Sequence, residues 1–197
     1  MAARIPTTEI TGVQGALVKR FAKKTLGQVP EPLGVYWHNR KVLRGYLAIS
    51  SQSQKWEVCD PGLKSFAHMA VASLIGCSWC LDFGYFQAHN EKLDLEKARE
   101  VPRWRESEVF TPLERDVMAY AEAMSQTPPT VTDEMAARLL KQLGAPAMVE
   151  LTSVIALANV YARTNVAFGI ESDGFAPACG LKPLAEPTVR PGVASAA

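Results

Sequence analysis

Charge of one sign, cysteine and histidine are all scarce in this chain, and each shortage removes a class of function. The 197 residues carry 21 Lys plus Arg against 20 Asp plus Glu, a net charge of +1. So balanced a composition gives no electrostatic case for binding nucleic acid or an anionic membrane. Only 4 cysteines are present, too few for the disulfide framework of a small secreted domain. The 3 histidines leave little for metal chemistry. A structural zinc site needs four ligands; Cys59, His68 and His89 are the residues available to complete one, and no second CxxC or HxxxH pair accompanies them. No uninterrupted apolar run approaches the roughly 18 residues of a membrane span. The first residues, MAARIPTTEITG, hold no apolar signal core. These absences lead us to expect a cytoplasmic protein without metal or cofactor, its thiols reduced unless they carry redox chemistry.

What is present is helical periodicity. Hydrophobic residues make up 48% of the chain and charged residues 21%, an ordinary globular balance. Thr7 and Thr8 precede Ile10, Val13, Leu17 and Phe21, whose spacing predicts an amphipathic helix with that face inward. Pro30 and Pro32 in VPEPLG predict a break, and SSQSQ (50–54) a loop. Asp60-Pro61 is a strong helix start, and an apolar pattern follows from Leu63 to Cys77. Asn90 closes the next helical stretch. Thr111-Pro-Leu-Glu114 fits a capping box. Two further helices are predicted, one from Thr132 to Gly144 and a long apolar one from about Ala147 to Ile170. No segment alternates as a strand does. The fold class read here is all-α, a single helical domain over 1–175. It comprises an N-terminal helical arm (1–55), a core (60–170) and an irregular tail (176–197).

The chemistry concentrates between His68 and His89. Cys77-Ser-Trp-Cys80 is a CxxC motif. Its spacing puts both sulfurs on one helical face, close enough for a disulfide after modest adjustment. At a helix start, unpaired amides favour thiolate, the form that attacks peroxides and disulfides. One thiol would attack and the other resolve before overoxidation. Two buried cysteines packed as small apolar residues have the same spacing, and spacing alone does not choose between them.

The stretches DPGLKSFAHMAVASLIGCSWCLDFGYFQAH, VPRW, FTPLERDVMAYAEAMSQTPPTV and LTSVIALANVYARTNVAFGI resemble the carboxymuconolactone decarboxylase superfamily, and within it the alkylhydroperoxidase D-like branch. The resemblance implies an all-helical bundle that assembles as a dimer, trimer or hexamer. It implies a thiol oxidoreductase reducing a small peroxide through Cys80, which attacks, and Cys77, which resolves, whereas the helix dipole favours the opposite order, with Cys77, nearer the helix start, attacking. A dithiol reductant, protein or small thiol, would then restore the pair. The family's peroxidases place a Glu twelve residues before the first cysteine and a His four after the second; here those positions are Ser65 and Gly84. Neither is a base near neutral pH, so a weak peroxidase is expected, improved by restoring Glu and His unless Gly84 serves close packing. A non-redox decarboxylase-like enzyme and a silent helical oligomer are the alternatives. His68, His89 and Glu57 are the candidates for a replacement proton relay. His68 and His89 each lie nine residues from the nearer cysteine, about half a turn off its face on an ideal helix, so a bend is required. On the long apolar helix Asn159, Arg163, Asn165 and Tyr161 need partners, as an anion site facing the thiols or as a subunit contact. Cys59 and Cys179 have no sequence partner.

Overall fold

The computed structural model describes residues 3–187. Among them the chain forms nine α-helices, two short 3-10 turns and no strand. Helices α1 (Gly12–Leu26), α2 (Glu31–Tyr36) and α3 (Arg40–Ser53) make the N-terminal part. Then come α4 (Pro61–Ile75), α5 (Ser78–Asn90), α6 (Leu95–Glu100), α7 (Pro112–Ser125), α8 (Asp133–Phe168) and α9 (Phe175–Ala178).

Helix α4 is the centre, packed by α5, α7 and α8. It starts where Asp60 Oδ1 accepts the Leu63 amide at 3.0 Å, with Pro61 in the first turn where no N–H is missed. Its composition suits burial on several sides. Ala67, Val71 and Ala72 let α7 and α8 approach, meeting Val117, Ala121, Leu151, Ile155 and Ala158. Phe66, Met69 and Ala70 fill the other side with Tyr85, Trp104 and Met118. Each large apolar side chain buried here contributes roughly 1.5–3 kcal/mol. The predicted capping box closes α7: Glu114 N donates to Thr111 Oγ1 at 3.3 Å and Thr111 N to Glu114 Oε2 at 2.7 Å.

Several expectations are corrected. Helix α1 begins after Thr11, not at Thr7 or Thr8, and Thr11 makes no side-chain cap. Its inward face is Gly15, Val18 and Ala22, so of the expected stripe only Ile10 is buried. Val13, Leu17 and Phe21 are 81%, 63% and 69% exposed. The predicted break after α1 is present at 27–30, but it is shorter than expected: α2 already starts at Glu31, because Pro32 falls in its first turn rather than the interior. Residues 50–53 continue α3, with Ser53 Oγ donating back to the Ser50 carbonyl at 2.9 Å. The two predicted C-terminal helices are the arms of α8, which is broken at Gly144 (φ 75°, ψ 161°); Pro146 follows the break. By length and composition alone α8 is long and apolar enough to cross a membrane. Counting uninterrupted runs missed it because Glu150, Asn159 and Arg163 interrupt the pattern. In the fold those polar groups bond to other helices: Glu150 takes Lys64 Nζ at 2.7 Å and Asn159 donates to Ser125 Oγ at 2.8 Å. The expected irregular tail includes α9, and Ala185 N donates to the Arg99 carbonyl at 3.0 Å. The rest of that tail, 188–197, lies outside the described residues.

Candidate functional site: a buried cysteine pair beside a polar cleft

The cysteine pair sits where the chain turns between two helices. Gly76, at φ 80°, closes α4 in the left-handed region that glycine tolerates. The Cys77 amide then donates to the Ala72 carbonyl at 2.9 Å. Cys77 is the cap of α5, and its Sγ accepts the Cys80 backbone N–H at 3.2 Å. Cys80 lies in the first turn, its Cα 5.3 Å from that of Cys77, and the two are joined as a disulfide. Both are about 1% exposed. The amide aimed at Cys77 Sγ favours thiolate there once the pair is reduced. Cys80 Sγ instead receives the Nδ2 of buried Asn165 on α8 at 3.5 Å.

Asn165 is the site residue that sequence reasoning left in the background. Its signal was the demand of a polar group on an apolar helix for a partner. Asn159 and Arg163 face elsewhere: Arg163 donates to the Ser125 carbonyl and, through Nε, to Asn159 Oδ1 at 3.3 Å. These are contacts within the chain, and Arg163 and Ser125 also line a second cavity beside Leu74 and Val166.

The two residues between the cysteines are covered by the segment after α8. Ser172 N donates to Ser78 Oγ at 3.2 Å, and Trp79 Nε1 to Asp173 Oδ2 at 2.7 Å. Trp79 also stacks on Phe83, 4.8 Å between ring centres, and meets Phe175 edge-on. Asp173 is held further by the Glu31 amide at 3.0 Å. One turn along α5, buried Asp82 anchors the segment. Its carboxylate accepts Ser172 Oγ at 2.7 Å and the Phe175 and Ala176 amides at 2.8 Å each.

A cleft of about 580 Å³ opens between the loop before α4, α4 itself and α5. Ser65, His68, Gly84, Gln87 and Glu91 line it, with Glu57 and Cys59 from the loop and Lys64 from α4. The structure therefore brings two relay candidates, His68 and Glu57, to one cleft. His89 is exposed in the last turn of α5, nine residues or about 13 Å along the helix from Cys80. The turn at Gly76 supplies the bend that His68 required: α4 and α5 pack side by side, and the His68 ring lies against Gly84. Burial holds the His68 imidazole below its ordinary value, against a smaller opposing pull from the Cys80 backbone. Burial, with Glu150 adding, pushes the Cys59 thiol up; an unreactive thiol is the result. Glu150 is itself held low: burial opposes, but Lys64 and the amides of Val58 and Cys59 outweigh it. Among the described residues no group of three or more His, Cys, Asp or Glu side chains is placed to hold a metal ion.

Comparison with known proteins places this geometry. Residues 41–123 match the model of the carboxymuconolactone decarboxylase family. Over 155 residues the chain is 32% identical to the uncharacterized protein YnjA of Escherichia coli (strain K12), covering 77% of this chain and 84% of that one. Among solved structures, a cysteine-to-alanine variant of the debrominase Bmp8 in complex with 2,3,4-tribromopyrrole superposes with a TM-score of 0.73 at 20% identity, over 84% of this chain and 89% of that one. The alkylhydroperoxidase AhpD core of an uncharacterized peroxidase-related protein from Ralstonia eutropha JMP134 gives 0.73 at 15% identity, over 89% and 95%. The fold is that of the alkylhydroperoxidase AhpD core, and the chain belongs to the carboxymuconolactone decarboxylase family.

Proposed function

We propose that this protein is a cytoplasmic thiol oxidoreductase that reduces a small hydroperoxide with Cys80 and Cys77. The observation that carries the reading is the pair itself: two buried cysteines within bonding distance at the start of α5, one sulfur held by a backbone amide. In the first half-reaction Cys80 thiolate attacks the terminal peroxide oxygen. The O–O bond breaks, an S–O bond forms, and the alcohol leaves with one proton. Cys77, the thiolate favoured by the amide, then attacks the sulfenic sulfur and releases water. A dithiol reductant, protein or small thiol, exchanges with the disulfide and restores both thiols. Ser65 and Gly84 supply no base, so the base has to come from elsewhere in the chain or the reaction is slow. Because a debrominase shares the fold, a brominated pyrrole belongs in the substrate panel.

The test is mass spectrometry of the reduced protein after stoichiometric peroxide. The expected product is a Cys77–Cys80 disulfide. Cys80→Ser is expected to abolish peroxide consumption, and Cys77→Ser to stop at sulfenic acid and overoxidise. Full consumption by both variants would end the redox reading and favour a non-redox decarboxylase-like enzyme or a silent oligomer.

We also propose a homo-oligomer joined through α1. Val13, Leu17 and Phe21 follow one another at intervals of four on its outer face, all exposed. Leu17→Lys combined with Phe21→Lys is expected to lower the mass read by light scattering at micromolar concentration to that of one chain. A wild-type protein already at that mass would refute the interface.

A further inference from the structure

Both sulfurs are buried, yet each turn of a dithiol cycle moves protons to and from them. Among the described residues His68 offers a route. Its Nε2 is shut off from solvent and has no hydrogen-bond partner, an arrangement a folded protein rarely leaves without use. The ring lies beside the Cys80 backbone at one end and the cleft at the other. It fills the space left by the absent side chain of Gly84, where a Cβ would stand 3.2 Å from His68 Cδ2 and 3.7 Å from Nε2. We propose that the cleft holds the substrate, a neutral or cationic small hydroperoxide, and that His68 is its acid–base group, exchanging a proton with Cys80. The proposal rests on the dithiol reading above and adds to it the binding place, the base and the charge of the substrate.

Neutral His68 takes the proton of the Cys80 thiol. The thiolate attacks the terminal peroxide oxygen, the O–O bond breaks, and the imidazolium returns that proton to the departing alkoxide. Buried and uncharged, the ring is a base at neutral pH rather than an acid already spent. The groups around it are Glu57 and Cys59 from the loop, Lys64 on its own helix, Glu91 after α5 and Glu150 on α8. Lys64 is held by Glu150 at 2.7 Å and by the Trp56 carbonyl. Its charge is therefore answered, while Glu57 and Glu91 stand exposed at the rim. A rim with two unmatched carboxylates repels an anionic substrate. Ser65 and Gln87 are left to hydrogen-bond a hydroperoxide.

The experiment is single-turnover oxidation of the reduced full chain from about pH 4 to about pH 8, a window extended to the acid side because burial lowers the titration of His68. The probes are tert-butyl hydroperoxide and its carboxylate-bearing analogue 3-hydroperoxy-3-methylbutanoate. Wild type is expected to prefer the neutral probe and to lose rate on the acid side as His68 protonates. His68→Gln is expected to slow oxidation by roughly 10²-fold and to move that acid limb to higher pH, where the Cys80 thiol ionises unaided. Glu57→Gln with Glu91→Gln is expected to raise the anion-to-neutral rate ratio by about 2–5-fold, less at high salt. Wild-type rates and pH profile in His68→Gln, with Cys80→Ser inactive, would overturn the assignment of His68 while the dithiol reading stands. Activity in Cys80→Ser would overturn that reading instead. Should His68→Gln not fold, the rim variants decide, since both carboxylates are exposed; an unchanged ratio rules out the cleft as the substrate site.

Discussion

Gly84→His is expected to destabilise this protein, and with Ser65→Glu to leave peroxide turnover no faster. A Cβ at position 84 would stand 3.0 Å from Met69 Cγ and 3.2 Å from His68 Cδ2. Met69 is fully buried in the second core cluster and has no room to retreat. Overpacking of this kind costs typically 1–3 kcal/mol, and an imidazole brings more than a Cβ. For a chain of this size that is a fall in Tm of roughly 5–10 °C. Melting followed by circular dichroism, beside turnover, checks it. Gly84→Ala isolates the crowding, with part of its cost offset by the better helix propensity of alanine. The condition attached to the sequence-based expectation is met: this glycine serves close packing, and the ring it admits is His68. A double variant of unchanged Tm and faster turnover would contradict this account.

Asp82→Ala is expected to release the C-terminal segment and to cost about 3–5 kcal/mol. Its carboxylate accepts three hydrogen bonds, from Ser172 Oγ and from the buried Phe175 and Ala176 amides. Bonds to a charged group contribute about 1.5–3 kcal/mol each and are not fully additive, and the stranded amides carry a desolvation penalty. The loss is local first. Amide exchange across residues 171–187 should rise before that of α4 or α7, because the first core cluster takes no residue of the segment and the second is only edged by Ala176, Leu181 and Leu184. Asp173, bonded to Trp79, should lose its grip with it, so alkylation of the reduced cysteines should quicken. Unchanged exchange in 171–187 would show that the bonds of Asp173 and Ala185 and the aromatic contacts of Phe175 hold the segment without Asp82.

The parts legible in the sequence are those governed by local chemistry. Asp60 and the Thr111–Glu114 box cap helices because their side chains reach amides two or three residues away, and such reach is written in spacing. The superfamily resemblance rested on the CxxC between two helices, which the structure reproduces. What failed was anything decided at a distance. The outward turn of Val13, Leu17 and Phe21 follows from Gly15 and Ala22 fitting closely against Ile10, Leu33 and Leu43, a preference periodicity does not rank. Helix α2 was hidden because two prolines read as a break, although Pro32 occupies a first turn that tolerates it. His68 was placed half a turn off the thiols on a straight helix; the left-handed Gly76 folds α5 back beside α4, and no count along one helix reveals that. Asn165 was visible only as an unexplained polar group until α8 met Cys80.

The cover over the first turn of α5 bears on how such a protein diverges. The family model spans 41–123 and so contains both cysteines, His68 and Gly84. The partners of the Ser78 hydroxyl and the Trp79 indole, Ser172 and Asp173, come from beyond it, and Asp173 is held by Glu31 from before it. The cysteine turn lies inside the segment the family model matches, whereas its shielding comes from the flanks. Substitutions in those flanks are therefore able to change which molecules reach the sulfurs while leaving α4 and α5 unaltered.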